Sequence, residues 1–269
     1  MNEIGSKAKT NLEKNQEYID SLIHPDPESI ADLPIMGPYK YVDGTTYTGQ
    51  YKDGNRHGRG QQVWSDGSIY DGFWTDDQSN GKGIQCYNSG DVYKGDWESG
   101  MSHGKGEYYH ETDQITYIGD WKEGAQHGEG KELYMDGSVY EGTFVNSEKE
   151  GKGKFIWKDG AYYEGDFKNN NIEGEGLYVW PDKRQYEGQW VDNKMHGFGT
   201  FKWIDGRKYT GGYSQDVKHG DGEFCWPDGK KFIGTWVDGK QDGEGTYIDK
   251  QGVQRKGIWS MGSRVKWIS

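Results

Sequence analysis

The sequence predicts an all-β protein: an elongated single-sheet solenoid of repeated antiparallel β-hairpins with a short N-terminal helical arm. Three observations predict it. A 23-residue motif recurs nine times, aromatic and polar residues alternate within it, and turn-forming residues recur at two fixed places in each copy. Repeats of this size bury their apolar faces by stacking on one another, so function is expected on an extended surface.

The copies are aligned on their first aromatic residue, which we number repeat position 0. These nine residues are Tyr47, Tyr70, Tyr93, Tyr117, Tyr140, Tyr163, Tyr186, Tyr209 and Phe232. Seven of the eight steps between them are 23 residues, and the step from Tyr93 to Tyr117 is 24. The extra residue predicts a bulge or an altered twist near residues 111–116.

Each copy has the pattern of two strands. Positions 0, 2 and 4 are aromatic, Gly and aromatic, as in Tyr186, Gly188 and Trp190, with mostly polar residues between them. The glycine is expected to leave room for a ring from the next strand. Position 7 is Gly, Asn or Asp in eight copies, which indicates a hairpin turn, and Ser147 is the exception.

The second strand of each copy begins with Gly at positions 11 and 13. In several copies aromatic residues follow at positions 15 and 17, as in Phe201 and Trp203. Asp-Gly at positions 19 and 20, as in Asp205-Gly206, predicts the turn to the next copy.

The composition requires an aromatic core. Leu, Ile, Val and Phe make up only about 15% of the residues, which with a net charge of −12 would by itself suggest disorder. The 12 Trp, 20 Tyr and 8 Phe supply the missing apolar surface. The acidic balance disfavours nucleic acid as a partner, and the lack of a long apolar run or signal core predicts a soluble, non-secreted chain.

Three regions are expected. Residues 1–36 form the helical arm, residues 37–259 form the array (a half-repeat, nine full repeats and a partial tenth), and residues 260–269 fold over the last hairpin as a cap. In the arm, Leu12, Ile19 and Ile23 make an apolar stripe if residues 9–23 are helical. The arm either covers the first open strand or serves as a peg for a partner.

The pattern Y-x-G-x-W-x-x-G-x-x-H-G-x-G resembles the MORN (membrane occupation and recognition nexus) repeat over about residues 37–259. Proteins of that family are elongated single-sheet arrays of hairpins found in cytoskeletal scaffolds, cilia and flagella and in junctional complexes. They also occur as accessory segments of lipid kinases and lysine methyltransferases. The resemblance therefore implies a non-enzymatic scaffold or adaptor.

No catalytic, cofactor or metal site is expected. His recurs at position 10 in five copies, for example His196 and His219, but neighbouring copies place these side chains about 9–10 Å apart, too far for one shared ion. Gly-x-Gly is followed by a strand and not by the helix that a phosphate loop requires. The two cysteines, Cys86 and Cys225, lie six repeats apart, which excludes an intramolecular disulfide and fits a reducing compartment.

Two surfaces are candidates for binding. The first is an aromatic-glycine groove for a helix or an extended peptide of a partner protein. Its residues are Tyr117, Trp121, Tyr163, Tyr186, Trp190, Trp203, Tyr209, Trp226 and Trp236. The second is a basic ridge along one edge of the C-terminal half. Its residues are Lys183, Arg184, Arg207, Lys208, Lys230, Lys231, Arg255 and Lys256.

The leading hypothesis is a scaffold that binds proteins through the groove, in the cytoplasm and cytoskeleton and in a ciliary or flagellar (axonemal) assembly. The alternative is a peripheral membrane adaptor that binds phosphoinositides through the basic ridge. A third option is the regulatory subunit of a separate enzyme. Self-association is left open.

Overall fold

A computed structural model of the protein describes residues 4–269. The chain divides into two compact units, the first ending at Ser147 and the second comprising Glu148–Ser269. Nearly all of the regular structure is β, as the sequence predicts, and the helices lie near the N-terminus.

The first unit contains two short α-helices, one 3₁₀ turn and ten strands that pair in chain order, each antiparallel to the next. The elements are α1 (Ile4–Lys14), α2 (Gln16–Asp20), the 3₁₀ turn Glu28–Ile30, β1 (Ile35–Lys40), β2 (Thr46–Lys52), β3 (Asn55–Val63), β4 (Ile69–Thr75), β5 (Gln78–Cys86), β6 (Val92–Glu98), β7 (Met101–His110), β8 (Ile115–Lys122), β9 (Ala125–Leu133) and β10 (Val139–Val145).

The second unit continues the pattern with eleven strands that are likewise antiparallel and paired in order. They are β11 (Glu148–Ile156), β12 (Tyr162–Lys168), β13 (Asn171–Val179), β14 (Gln185–Val191), β15 (Lys194–Lys202), β16 (Lys208–Ser214), β17 (Val217–Cys225), β18 (Lys231–Val237), β19 (Lys240–Ile248), β20 (Gln254–Ser260) and β21 (Ser263–Trp267).

The hairpin turns at positions 6 and 7 have two consecutive residues with positive φ, as in type I′ turns. Asn169 and Asn170 have φ values of 46° and 67°. Ser147, which departs from the sequence pattern, has the same conformation with φ 66°. At the other turn, Lys183 takes φ 70° where most copies have Gly. The turn geometry is therefore imposed by pairing even where the residue type is unfavourable.

Eight of the full repeats, four in each unit, carry a bulge in their hairpins. In β14–β15, Gly188 pairs with Gly199 and Trp190 pairs with Met195, so Gln189 faces three residues of the opposite strand. Gly197 within that bulge has φ 61°, which favours glycine. The Gln189 side chain stabilises the bulge by accepting a 2.9 Å hydrogen bond from the Phe198 backbone N–H.

The extra residue of the third copy does not produce the expected bulge, because β7 and β8 pair without a register shift from Gly104–Trp121 to His110–Ile115. The residue is accommodated in the connecting turn instead, where Gln114 has φ 52°. A turn tolerates an added residue at lower cost than a paired strand does.

The N-terminal arm differs from the single helix expected over residues 9–23, because it breaks between α1 and α2 at Asn15. It packs on one face of β4–β6. Ala8 and Ile19 are buried there with Ile69, Ile84 and Cys86. The first strand, β1, keeps exposed side chains throughout. The arm thus covers a sheet face of the first unit.

The last residues add a strand. Residues Ser263–Trp267 pair with β20, and the Ile268 backbone N–H donates to the Lys256 carbonyl at 3.0 Å. The expected cap therefore takes the form of a final hairpin in the second unit.

Candidate functional site

We call the nine aromatic residues at position 0 the tyrosine row, and the sheet face that carries them the tyrosine face. All nine are at most 2% exposed. Eight of these rings, including the Tyr163 ring, lie over the glycines at positions 2 and 13 of their own repeats. A Cβ added to Gly176 would lie 2.3 Å from the Tyr163 Oη and 2.4 Å from its ring. Glycine is required at these positions because the ring of the same repeat, not one from the next strand, occupies the space.

The tyrosine hydroxyls hold the hairpin bulges. Tyr163 Oη donates a 3.0 Å hydrogen bond to the Asp166 carbonyl at position 3, which the bulge leaves without a ladder partner. The other tyrosines of the row make the same bond. Phe232 alone in the row has no hydroxyl to donate.

The aromatic residues at position 4 join successive repeats. Trp190 Nε1 donates to the Gly176 carbonyl of the preceding repeat at 3.2 Å. Its ring meets Tyr186 of its own repeat edge-on at 5.1 Å and Tyr163 of the preceding repeat at 5.6 Å. These contacts make the tyrosine row and the position-4 residues the core of the array.

This core contains most of the residues expected to line the groove. Seven of them are less than 9% exposed. They are Tyr117, Trp121, Tyr163, Tyr186, Trp190, Tyr209 and Trp236. Trp203 and Trp226 lie in the short turns after the second strands and are half-buried. The accessible aromatic part of the tyrosine face in the second unit is therefore formed mainly by position 17, because Phe201 and Phe224 at position 15 are only 7% exposed.

In the second unit these two positions form a continuous stack, which we call the aromatic ladder. Neighbouring rings lie 4.4–6.5 Å apart with interplanar angles of 39–59°. Its members are Phe155, Trp157, Tyr178, Trp180, Phe201, Trp203, Phe224, Trp226 and Tyr247. The groove predicted from the sequence included two of them, although the aromatic pattern at positions 15 and 17 was visible in the sequence.

A lysine side chain lies against the ladder. The Nζ atom of Lys218 is 5.2 Å from the Trp203 ring centre, 5.3 Å from Tyr209, 5.0 Å from Phe224 and 4.9 Å from Trp236. Burial, followed by the positive charge of Arg207, lowers the pKa of Lys218. Four rings around one ammonium group provide cation–π stabilisation in place of lost water.

The basic ridge is charge-compensated. Arg184 pairs with Asp182 at 2.6 Å and Arg207 pairs with Asp205 at 2.8 Å. Lys230 and Lys231 pair with carboxylates in the same way. The two arginines also lie over ladder rings, with Arg184 5.6 Å from Trp180 and Arg207 5.4 Å from Trp203. The ridge therefore carries less net positive charge than its sequence suggests.

No cluster of three or more His, Cys, Asp or Glu side chains fit to hold a metal ion occurs among the described residues. Both cysteines are free thiols. Between residues 4 and 269 no helix has the length and apolar character needed to cross a membrane.

Several solved structures resemble this chain. The TCP10 domain of Danio rerio CPAP is 12% identical, over 78% of this chain and 94% of that domain, with a TM-score of 0.42. The SAS-4 (dCPAP) TCP domain of Drosophila melanogaster, solved with a proline-rich motif of Ana2, is 14% identical over 76% and 99%, with a TM-score of 0.29. No curated protein matches the chain.

The MORN repeat family matches nine consecutive segments of the sequence. They are residues 47–69, 70–92, 93–112, 117–139, 140–162, 163–183, 186–206, 209–231 and 232–254. These segments follow the tyrosine row, and each spans the hairpin whose position-0 ring and position-4 aromatic residue belong to the core. The chain belongs to the MORN repeat family.

Proposed function

We propose that the protein is a non-enzymatic scaffold that binds partner proteins along its tyrosine face, within a cytoskeletal or ciliary assembly. The observation that carries this proposal is the aromatic ladder. Half-buried Trp157, Trp180 and Trp203 follow one another on successive hairpins. Contiguous accessible apolar surface of this kind marks interaction sites, and large rings are enriched where binding energy concentrates.

The shape of the ladder suits a helix or an extended peptide. Each repeat advances by two strands, which is about 9–10 Å. A partner that contacts one ring pair per repeat therefore gains apolar contact at regular intervals. The tyrosine row beneath is held in place because every ring is buried and all eight tyrosines donate a hydrogen bond, so little ordering of this chain is needed on binding.

The ladder is tested with the double variant Trp180→Ala and Trp203→Ala. The matched control is Phe198→Ala, since Phe198 is 61% exposed in β15 and carries no ladder contact. Partners that copurify with the full-length wild-type chain at fixed stoichiometry are quantified for each variant. We expect recovery to fall about tenfold or more in the double variant and to stay unchanged in the control.

Equal recovery with all three chains, each checked by circular dichroism and thermal melting, would contradict binding through the ladder. A catalytic chain recovered at fixed stoichiometry would favour a regulatory subunit. Salt-sensitive binding of the wild-type chain to phosphoinositide vesicles, lost when Arg207, Lys208, Lys230 and Lys231 are changed to Glu, would favour the membrane adaptor.

The cellular part of the proposal is tested by detergent extraction of cells that express the protein. A stable cytoskeletal or axonemal scaffold remains in the insoluble pellet after the membranes dissolve, and the ladder double variant is expected to be released. Release of the wild-type protein would count against a stable assembly.

A further inference from the structure

Position 9 is the second residue of the second strand in each hairpin, and its side chain lies on the tyrosine face. Lys218, for example, pairs across the hairpin with Tyr213 at position 4. Four side chains from three successive repeats surround position 9. They come from position 17 of the preceding repeat, positions 0 and 15 of the same repeat, and position 4 of the following repeat. We call these four side chains a cage.

In the first and eighth repeats, position 9 is a cation that lies in the cage of its own repeat. In the eighth repeat, Lys218 lies among four rings at 4.9–5.3 Å. In the first repeat, the guanidinium of Arg56 lies 4.3 Å from Trp74 and 6.0 Å from Tyr47. The cage is thus a site where this fold already holds positive side chains against aromatic faces.

The third repeat has the same cage but lacks the cation. Its four cage residues are Tyr87, Tyr93, Tyr108 and Trp121, and position 9 is Ser102. These residues line an open cavity of about 300 Å³. A serine side chain ends three heavy-atom positions short of a lysine ammonium group, so the cavity corresponds to the space that Lys218 fills in the eighth repeat.

The rings of the open cage are already in place. Tyr93 and Trp121 lie 5.0 Å apart, and Tyr108 and Trp121 lie 6.0 Å apart. The equivalent pairs around Lys218 are Tyr209–Trp236 at 5.1 Å and Phe224–Trp236 at 6.0 Å. A preformed cage costs little to order when a ligand enters.

The charge beside the open cage is reversed relative to the filled one. Position 21 of the preceding repeat is Arg207 beside Lys218 and Asp91 beside the cavity. Burial first, and then the Asp91 carboxylate, raises the pKa of both Tyr87 and Tyr108, so Asp91 acts on two of the four rings. None of the described residues that line the cavity carries a formal charge. The open cage therefore favours a cation more than the cage that holds Lys218 does.

We propose that the cavity at Ser102 binds the ammonium group of a lysine side chain that a partner protein inserts between Tyr87, Tyr93, Tyr108 and Trp121. This inference rests on the proposed function, because a partner bound to the tyrosine face supplies the lysine. The inference adds that one contacting residue of the partner is a lysine, which the aromatic ladder alone does not specify.

A second cavity lies one repeat earlier, at Ser79. It measures about 260 Å³, and its lining includes the cage residues Trp64, Tyr70, Gln85 and Trp97. Position 9 recurs about 9–10 Å apart in adjacent repeats, close to the span of three residues of extended chain. The charged residues Arg56 and Asp77 also line this second cavity, so only the cavity at Ser102 has an uncharged lining among the described residues.

The cage is tested first without a partner, with n-butylammonium as the probe for a lysine head group and n-butanol at matched ionic strength as its neutral control. The Trp121 indole N–H, which donates to the Gly106 carbonyl at 3.3 Å, is followed by ¹H–¹⁵N NMR. We expect a saturable shift of the Trp121 resonance with butylammonium and none with butanol. Equal shifts with butanol would overturn the proposal, as would stronger binding of butylguanidinium, which would assign the cage to arginine.

One variant, Ser102→Lys, fills the open cage, and another, Lys218→Ser, opens the filled cage. Ser102→Lys supplies the cation from within and is expected to abolish the Trp121 shift, whereas Met101→Lys adds the same charge one residue away, at an exposed side chain, and is expected to preserve it. Lys218→Ser opens the eighth cage and is expected to create a weaker butylammonium shift at the Trp236 indole, because Arg207 opposes the cation. An unchanged Trp121 shift in folded Ser102→Lys would overturn the proposal.

Partner recovery then separates this inference from the proposed function. Ser102→Lys is expected to lower recovery about tenfold, and Met101→Lys is expected to leave it unchanged. If the ladder double variant loses the partner and Ser102→Lys retains it, the lysine contact is refuted and the scaffold stands. If the ladder double variant also retains the partner, the proposed function itself fails.

Discussion

The tyrosine face differs between the two units although the tyrosine row beneath it is the same. In the first unit, position 15 is Gln62 and then Gln85, and the surface between the position-17 rings opens into cavities. In the second unit, position 15 is always aromatic, and the rings join into the ladder. Positions 0, 2, 4 and 13 therefore carry the framework, whereas positions 9, 15 and 17 are free to define a binding surface.

The opposite face shows a second difference. In the first unit, Ile69, Ile84 and Cys86 are buried beneath the helical arm. In the second unit, Phe198 and Ile233 are exposed on the corresponding face. Apolar residues on this face are thus buried where the arm covers them and exposed at Phe198 and Ile233.

The largest effect is expected from the framework, at Tyr163 in the second unit and Tyr93 in the first. Replacement by Ala removes a fully buried ring from above two glycines, which is expected to lower the free energy of unfolding by about 3–5 kcal/mol at either site. Replacement by Phe removes only the hydrogen bond to the position-3 carbonyl and is expected to cost about 1 kcal/mol. Urea unfolding measures both. If the losses in the free energy of unfolding differ between Tyr163 and Tyr93, the two units do not share the same framework.

A smaller effect is expected from Ile19→Ala, about 2–4 kcal/mol, because the substitution leaves a cavity under α2. The reactivity of the two cysteines reports separately whether the arm is displaced from the sheet. Cys86 is fully buried, and burial followed by the charge of Asp71 raises its pKa to about 12, whereas Cys225 is half-buried. With a thiol reagent at pH 8.5, we expect only Cys225 to react in the wild type and both to react in Ile19→Ala.

The control for the arm is Phe198→Ala, which alters the exposed face of the second unit and is expected to leave Cys86 protected. Protection of Cys86 in Ile19→Ala would mean that the arm is not what buries it.

Alkaline pH is expected to destabilise both units through the tyrosine row. Burial raises the pKa of Tyr163 and of its equivalents, and it raises that of Tyr18 in the arm to about 12. The unfolded chain loses these tyrosine protons near pH 10, while the folded chain keeps them. The contribution of these tyrosines to the free energy of unfolding is therefore fully present below pH 10 and is lost as pH rises through the folded pKa values. In Tyr163→Phe, the free energy of unfolding should fall less steeply with pH, by at most about 1.4 kcal/mol per pH unit. Urea unfolding between pH 9 and 12 measures this dependence. An unchanged slope would show that Tyr163 does not contribute.

The smallest effect is expected at the basic ridge. Arg184→Ala removes a partly exposed ion pair with Asp182 and a contact with Trp180, and it should change the free energy of unfolding by less than about 1 kcal/mol. The comparison variant Asp182→Asn removes the ion pair but keeps Arg184 beside the Trp180 ring. It therefore tests whether any loss of stability comes from the charge pair or from the ring contact. A loss of several kcal/mol in Arg184→Ala would assign the ridge a structural role that the exposed pairs do not suggest.

The sequence alone determined the repeat register, the hairpins, the turns and the face that carries the aromatic residues. These features are local. Because side chains alternate between the two faces of a strand, a period of two residues shows which residues share a face. Gly, Asn and Asp at fixed positions show where the turns lie. The helical arm was also predicted, because Leu12, Ile19 and Ile23 make an apolar stripe at helical spacing.

Only the tertiary structure decided which aromatic residues are accessible, where the arm packs and which side chains form a cage. Tyr186 and Trp203 look alike in the sequence pattern, yet the Tyr186 ring is buried over two glycines and the Trp203 ring is half-buried. The cage at Lys218 combines side chains from three repeats, and the hairpin bulge sets their register. Such contacts depend on the stacking of strands that are about one repeat apart in sequence, which no single copy of the motif encodes.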